Sequence, residues 1–245
     1  MGKQIVTQQD DQVKERKTNL STDFEKLAVY AAHFTQPENQ LLKGMEEKAR
    51  RIYIPIMHPS SMALLQQLIR WTRAAKILEL GTAIGYSAIR MKIAAGKDAE
   101  IFSVERDPEM IREAGENIRT AGFSGSIHIV TGDATDHLAD VREHAPFDLI
   151  LIDAAKAQYE HLFLEYAQML RPGGIIVTDN VFFHGLVTNI PGVRKKQLRR
   201  LVEKVDDFNH FLSEQANFQT VFLTVGDGLA ISTKKEASES AEGWE

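Results

Sequence analysis

Cysteine is absent from all 245 residues. That excludes disulfide scaffolds, cysteine-ligated zinc and thiol catalysis, and it fits a cytoplasmic address. An overall basic field is missing too. Lysine and arginine number 29 against 34 acidic residues, a net charge of -5, so a nucleic-acid or membrane partner would need a local patch. Long apolar runs are also lacking: none reaches the roughly 20 residues that span a bilayer. The first residues, MGKQIVTQQDDQVKERK, lack the apolar core of a signal peptide, and no membrane partner is expected. Neither internal repeats nor a second-domain linker can be found.

What is present is 43% hydrophobic sequence, enough to bury one sizeable core. Residues 1–22 are polar and charged, which predicts a flexible tail, and KKEASESAEGWE from Lys234 reads the same way. One domain is left, over 23–233. Its first third is helical: DFEKLAVYAAHF, then PENQLLKGMEEKARR, then SSMALLQQLIRWT with Ser60 as the expected N-cap and Leu64, Leu65, Leu68 and Ile69 at helical spacing. Short β-rich runs come next (KILEL, EIFSVE, SIHIVT, FDLILID and GIIVTD), alternating with helix-length segments, one of them started by Asp107-Pro108. This alternation predicts an α/β fold of βαβ units around a parallel sheet. A long helix over about 194–214 precedes QTVFLTV and LAIST, joined through Gly226-Asp227-Gly228 as an antiparallel hairpin.

The first strand runs into ILELGTAIGYSAI, where Gly81 and Gly85 let the backbone turn tightly against a ligand at a helix N-terminus. The spacing lacks the middle glycine of G-x-G-x-x-G and the Gly-Lys-Ser/Thr of a P-loop, so a cofactor whose only anion is a carboxylate suits it better than a pyrophosphate. Glu105, 20 residues past Gly85, stands where doubly wound folds place an acid for ribose hydroxyls. Gly132-Asp133-Ala134 ends the third strand, in position to edge an adenine. Each alone could be a turn residue or a surface acid; together, on successive strand ends, they point to a bound cofactor. An oxygen-rich set comes after them, with Asp153 ending the fourth strand and Asp179-Asn180 ending the fifth. Two carboxylates and an amide suit a hard cation, Mg²⁺ first, although both aspartates could be strand-end turn formers. Lys156 could stand beside the metal as a base, or be a solvated helix lysine.

LELGTAIGYSA, DAAK, TDN and VGDGLAIS together resemble the cation-dependent S-adenosylmethionine O-methyltransferases of the catechol and caffeoyl-CoA type, over about residues 27–233. The resemblance implies a Rossmann-like class I methyltransferase fold: a seven-stranded, mostly parallel sheet with its last strand antiparallel, helices on both faces and extra N-terminal helices. It implies a metal held by Asp153, Asp179 and Asn180, and Lys156 as catalytic base. Cofactor contacts are implied for Met57, Ser87, Glu105, Asp133 and Ala134, with Glu79, Gly81, Gly85 and Asp153 completing the candidate cofactor set. The segment after TDN reads VFFHG, without the tryptophan common in the plant-type enzymes. Within the family the chain is similar to the bacterial branch that methylates 5-hydroxyuridine at the tRNA wobble position.

Two acceptors are compatible with this chemistry, since 5-hydroxyuridine and a catechol both offer a hydroxyl beside a second oxygen. The helix after the metal motif carries Arg194, Lys195, Lys196, Arg199 and Arg200. At 100° per residue Leu198, Leu201, Val202, Val205 and Phe208 share one face, which leaves Lys195, Lys196, Arg199 and Arg200 facing water as candidate RNA phosphate contacts or as an ordinary solvated face. No aromatic-interleaved RNA motif accompanies them. His58, His161 and His184 are possible contacts, each more simply read as an incidental loop or helix residue. The expected partners are tRNA, or a small catechol-like molecule, and a second copy in a homodimer. A nicotinamide oxidoreductase or a non-catalytic nucleotide-binding domain stays open as a third reading, disfavoured by the glycine spacing.

Overall fold

A computed structural model of the chain describes residues 39–236 and, before them, Lys26, Leu27, Tyr30, Ala31, Phe34 and Pro37. The chain divides into two units, Met1–Pro37 and Glu38–Glu245, and every described strand belongs to the second. The expected tails lie outside the described residues except for Lys234, which ends the last strand, and Lys235 and Glu236 after it, with the Lys235 N–H donating to the Asn217 carbonyl at 2.9 Å. Of the helix expected over DFEKLAVYAAHF, Lys26, Leu27, Tyr30 and Ala31 are helical and most of the rest lies outside the description.

Two helices open the second unit. In α1 (Gln40–Ile52) the Asn39 side chain caps the start by accepting from the Leu42 N–H at 3.0 Å. In α2 (Pro59–Thr72) the cap is His58, with Pro59 in the first turn, two residues earlier than the expected Ser60. An imidazole nitrogen takes the first orphan N–H here, and proline supplies the pre-set φ.

The remaining elements alternate: β1 (Lys76–Leu80), α3 (Tyr86–Ala95), β2 (Glu100–Glu105), α4 (Pro108–Thr120), β3 (Ile127–Thr131), α5 (Leu138–Arg142), β4 (Phe147–Ile152), α6 (Tyr159–Tyr166), β5 (Leu170–Asp179), α7 (Lys196–Ser213), β6 (Phe218–Leu223) and β7 (Leu229–Lys234). They form one seven-stranded sheet in the order β3-β2-β1-β4-β5-β7-β6. β3 through β5 pair in parallel, while β7 runs antiparallel to both its neighbours. The period of two sorts each strand's side chains between two cores. Ile77, Leu149, Leu151, Ile175 and Val177 pack with Met62, Leu65 and Ile69 of α2 and Ile89 of α3. Leu78, Leu80, Ile150, Ile152 and Ile176 pack with Leu162 and Phe163 of α6 and Phe208 of α7. Covered on both faces, the central strands are predominantly apolar, with Glu79 of β1 and Ser103 of β2 as buried polar exceptions. β5 starts at Leu170, earlier than the expected GIIVTD, because a register irregularity between Phe147 and Leu149 lets it pair back to Phe147.

Strand order reverses between β1 and β4, the position at which open α/β sheets bind ligands beyond their carboxyl ends. The ends of β1, β2, β4 and β5 deliver Gly81, Glu105, Asp153 and Asp179 to that edge. Because β7 is antiparallel to β5, pairing Asp179 with Leu229, the turn before β7 returns Asp227 to the same edge.

Candidate active site

Two cavities meet at this edge and share a wall made by Tyr53, Ile54 and Pro55. The smaller, about 580 Å³, is lined by Gly81, Ala83, Glu105, Arg106, Asp133, Ala134, Asp153 and Lys156 among others. Its geometry is set by backbone amides. The Glu105 carboxylate accepts from the Ala83 N–H at 2.8 Å, the Arg106 N–H at 2.9 Å and the Asp107 N–H at 3.0 Å, which fixes its orientation and leaves lone pairs toward the cavity. Asp133 accepts from the Thr135 N–H at 3.0 Å and from Arg106 at 2.8 Å, and these bonds, the Thr135 amide first, hold its carboxyl below the usual range.

Gly81 has φ +104, and a β-carbon there would overlap the main-chain oxygen of Asp153. Gly81→Ala therefore combines a strained backbone with an overlap that only a shift of β4 can relieve. We expect it to lose at least about 2 kcal/mol of stability in denaturant unfolding and all measurable cofactor binding.

Other residues of the expected cofactor set lie behind the cavity. Met57 is 2% exposed and packed in the core, and Gly85 backs onto Ala114. Glu79 is fully buried and accepts from the hydroxyls of Ser87 and Ser103, with Thr82 Oγ1 2.5 Å from Ser103 Oγ. Burial pushes its carboxyl up to about 7, against the hydroxyl hydrogen bonds and with help from Asp153 and Glu105. A raised acid binds its proton more tightly folded than unfolded. Its contribution to stability is present below about pH 4.5 and lost as pH rises to about 7, on the order of 3 kcal/mol in all. Glu79→Gln keeps one accepting oxygen and puts an N–H donor in place of the other, toward a serine hydroxyl that can turn to accept, and should remove that slope, so the stability of the variant relative to wild type should rise from pH 4.5 to 7. A constant difference in unfolding experiments across that range would show that Glu79 does not titrate there.

The larger cavity, about 1110 Å³, is lined by Asn180, Phe182, His184 and Asp227, by Glu46, Ala49 and Arg50 of α1, and by His58 and Pro59 at the start of α2, where Gly226 of the turn before β7 backs onto His58. At the seam, Lys156 Nζ, on the wall of the smaller cavity, donates to Asn180 Oδ1 at 2.9 Å and lies 5.6 Å from the Phe183 ring centroid. Asp179 is 1% exposed, and burial followed by the Asp153 carboxylate raises its carboxyl to about 7. Burial raises Asp153 as well, against Lys156. Among the described residues no three His, Cys, Asp or Glu side chains form a metal cage. Two buried carboxylates with raised carboxyls, beside an amide oxygen, are a donor set that fits a hard divalent cation and would leave coordination positions for water or substrate oxygens.

In the sequence Asp227 is legible only as a turn residue between two glycines. In the structure it accepts from Asn180 Nδ2 at 3.3 Å and from the His184 N–H, and stands 3.4 Å from His184 Nδ1. The antiparallel return of β7 is the signal available for it. The structure also corrects the basic cluster at one position. Lys195, Lys196 and Arg200 are exposed, but Arg199 is half-buried and its Nε donates to the Val193 carbonyl at 2.9 Å, tying α7 to the preceding loop.

The family model of the O-methyltransferases matches residues 32–235. A catechol O-methyltransferase of Niastella koreensis is 35% identical over 184 residues, covering 72% of this chain and 81% of its own length. The crystal structure of a Staphylococcus aureus protein provisionally described as a caffeoyl-CoA O-methyltransferase has 37% identity and a TM-score of 0.80, over 84% of this chain and 98% of that one. The O-methyltransferase TomG of Streptomyces achromogenes, solved with S-adenosylmethionine, has 26% identity and a TM-score of 0.74, over 86% and 96%. With the strand order, the switch-point cavity and these likenesses in agreement, the chain belongs to the O-methyltransferase family and is a class I S-adenosylmethionine-dependent O-methyltransferase.

Proposed function

We propose that the enzyme methylates a hydroxyl that stands beside a second oxygen, with S-adenosylmethionine in the smaller cavity, the acceptor in the larger one, and Mg²⁺ on Asp153, Asp179 and Asn180. The observation that carries this reading is Lys156 bonded to Asn180 at the seam between the cavities, where a methyl group would cross. When bound, the cation would lower the hydroxyl pKa and draw both acceptor oxygens into one orientation. Lys156 takes the hydroxyl proton as the oxygen attacks. The pinned Glu105 carboxylate receives the ribose hydroxyls and Asp133 meets the adenine edge.

Our acceptor is 5-hydroxyuridine at the tRNA wobble position, giving 5-methoxyuridine. The outward Lys195, Lys196 and Arg200 at the start of α7 support it. A catechol-like small molecule is the second reading, favoured by the likeness to the Niastella koreensis enzyme. Changing Lys195, Lys196 and Arg200 together to alanine should weaken tRNA binding and lower the slope of log K against log salt by up to about 3, while catechol turnover stays level. Unchanged tRNA affinity would return these residues to a solvated face and put the small acceptor first. Mass analysis of tRNA nucleosides from a strain lacking the gene tests the acceptor directly, since loss of 5-methoxyuridine is expected.

A further inference from the structure

The larger cavity extends well past the atoms at the seam. Its volume, about 1110 Å³, lies just above the usual range for small-molecule sites, about 300–1,000 Å³, so one ring held at Asn180 leaves the space along α1 and the start of α2 for another part of the acceptor. Two carboxylates line this cavity, and both are occupied. Glu46 accepts from the Tyr86 hydroxyl at 2.5 Å and lies 3.7 Å from Arg90, and Asp227 is held by Asn180 and His184. Arg50 stands four residues after Glu46, the spacing at which a helix usually pairs acid with base. Glu46 is turned inward to Tyr86 and Arg90 instead, and among the described residues Arg50 has no ion-pair partner. It is exposed on the cavity wall.

His58 is on the same wall. Its Nδ1 is engaged within its own turn, 3.3 Å from the Ser60 N–H and 2.7 Å from Ser60 Oγ, which leaves Nε2 as the ring nitrogen available to a ligand in the cavity. The wall along α1 and the start of α2 thus carries a guanidinium fork and an open imidazole nitrogen, and both lining carboxylates are turned onto partners of their own.

We propose that Arg50 and His58 form a second anchoring subsite, for an anionic oxygen group carried by the methyl acceptor. The inference rests on the larger cavity being the acceptor site. The group is a phosphate or a carboxylate, either of which takes two N–H bonds from the guanidinium and one from the imidazole. The subsite makes the enzyme selective for acceptors bearing such a group over their neutral parents.

Calorimetric titration of the protein saturated with S-adenosylhomocysteine and Mg²⁺ tests this, using two pairs: catechol with 3,4-dihydroxybenzoate, and 5-hydroxyuridine with its 5′-monophosphate. At least one anionic member should bind about tenfold more tightly than its neutral parent, and Arg50→Gln should bring that ratio near 1 without weakening the neutral ligand. A preference confined to the nucleotide pair identifies the group as a phosphate, and one confined to the benzoate pair as a carboxylate. Equal affinities within both pairs in the wild type, or a preference that survives in Arg50→Gln, would overturn the subsite alone. Binding of none of the four would overturn the acceptor reading and the subsite with it.

Discussion

Asp179→Asn should cut methyl transfer on the order of 10²–10³-fold and leave the fold at least as stable as before. The side chain is 1% exposed, and its carboxyl is raised to about 7 by burial and by the neighbouring Asp153 carboxylate. Above that pH the native state therefore holds the Asp179 carboxylate as an unfavourable buried charge beside Asp153. Asparagine removes one charge and keeps the oxygen that accepts the Asn180 N–H at 2.8 Å; the bond from the Tyr159 hydroxyl goes to the Asp179 main chain and is untouched. Loss of activity with gain of stability is the signature of a residue kept for its charge and not for packing. Single-turnover transfer and thermal unfolding at pH 8 measure the two halves. Wild type in excess EDTA should fall to the same low rate, and a variant rate within about threefold of wild type would remove Asp179 from the proposed cation site.

The aspartate can be read from sequence because strand ends are visible there. FDLILID and GIIVTD are apolar runs that stop abruptly at an acid, and in a parallel sheet neighbouring runs stop at the same edge. What stays hidden depends on contacts between elements distant in the chain. Asp227 reaches the edge only through the antiparallel pairing of β7 with β5, and within its own segment Gly-Asp-Gly is a turn like any other. Arg199 lies on the polar face of its helix, but the loop ending at Val193 folds over it, and helical periodicity has no information about a neighbouring loop. Glu46 carries no motif at all. Its engagement by Tyr86 and Arg90, which leaves Arg50 for a ligand, exists only because α1 and α3 pack together. The N-cap of α2 shows the local limit: Ser60 has the commoner capping side chain, and His58 takes the position because Pro59 fits the first turn.

Lys156→Met should lower the rate of transfer about 10²- to 10⁴-fold while leaving the affinity for S-adenosylhomocysteine within about threefold of wild type. The lysine is held at 2.9 Å from Asn180 Oδ1 and over the Phe183 ring, so its position is set by two contacts that involve neither the Glu105 nor the Asp133 wall of the smaller cavity. Methionine has similar length and no proton to exchange, which makes it the test of proton transfer with little change of volume. Lys156→Arg should not restore the rate, because a guanidinium keeps its charge but does not give up its proton at any working pH. The pH dependence separates a base from a charge that merely steadies the site. With no base, the reaction needs acceptor that has already ionised, so the variant's rate should rise about tenfold per pH unit below the acceptor hydroxyl's pKa and approach wild type above it. A variant whose deficit is the same at every pH, or an arginine variant as fast as wild type, would make Lys156 an electrostatic contact. Proton removal would then fall to another group at the seam, for which His184, paired with Asp227 on the wall of the larger cavity, is the candidate.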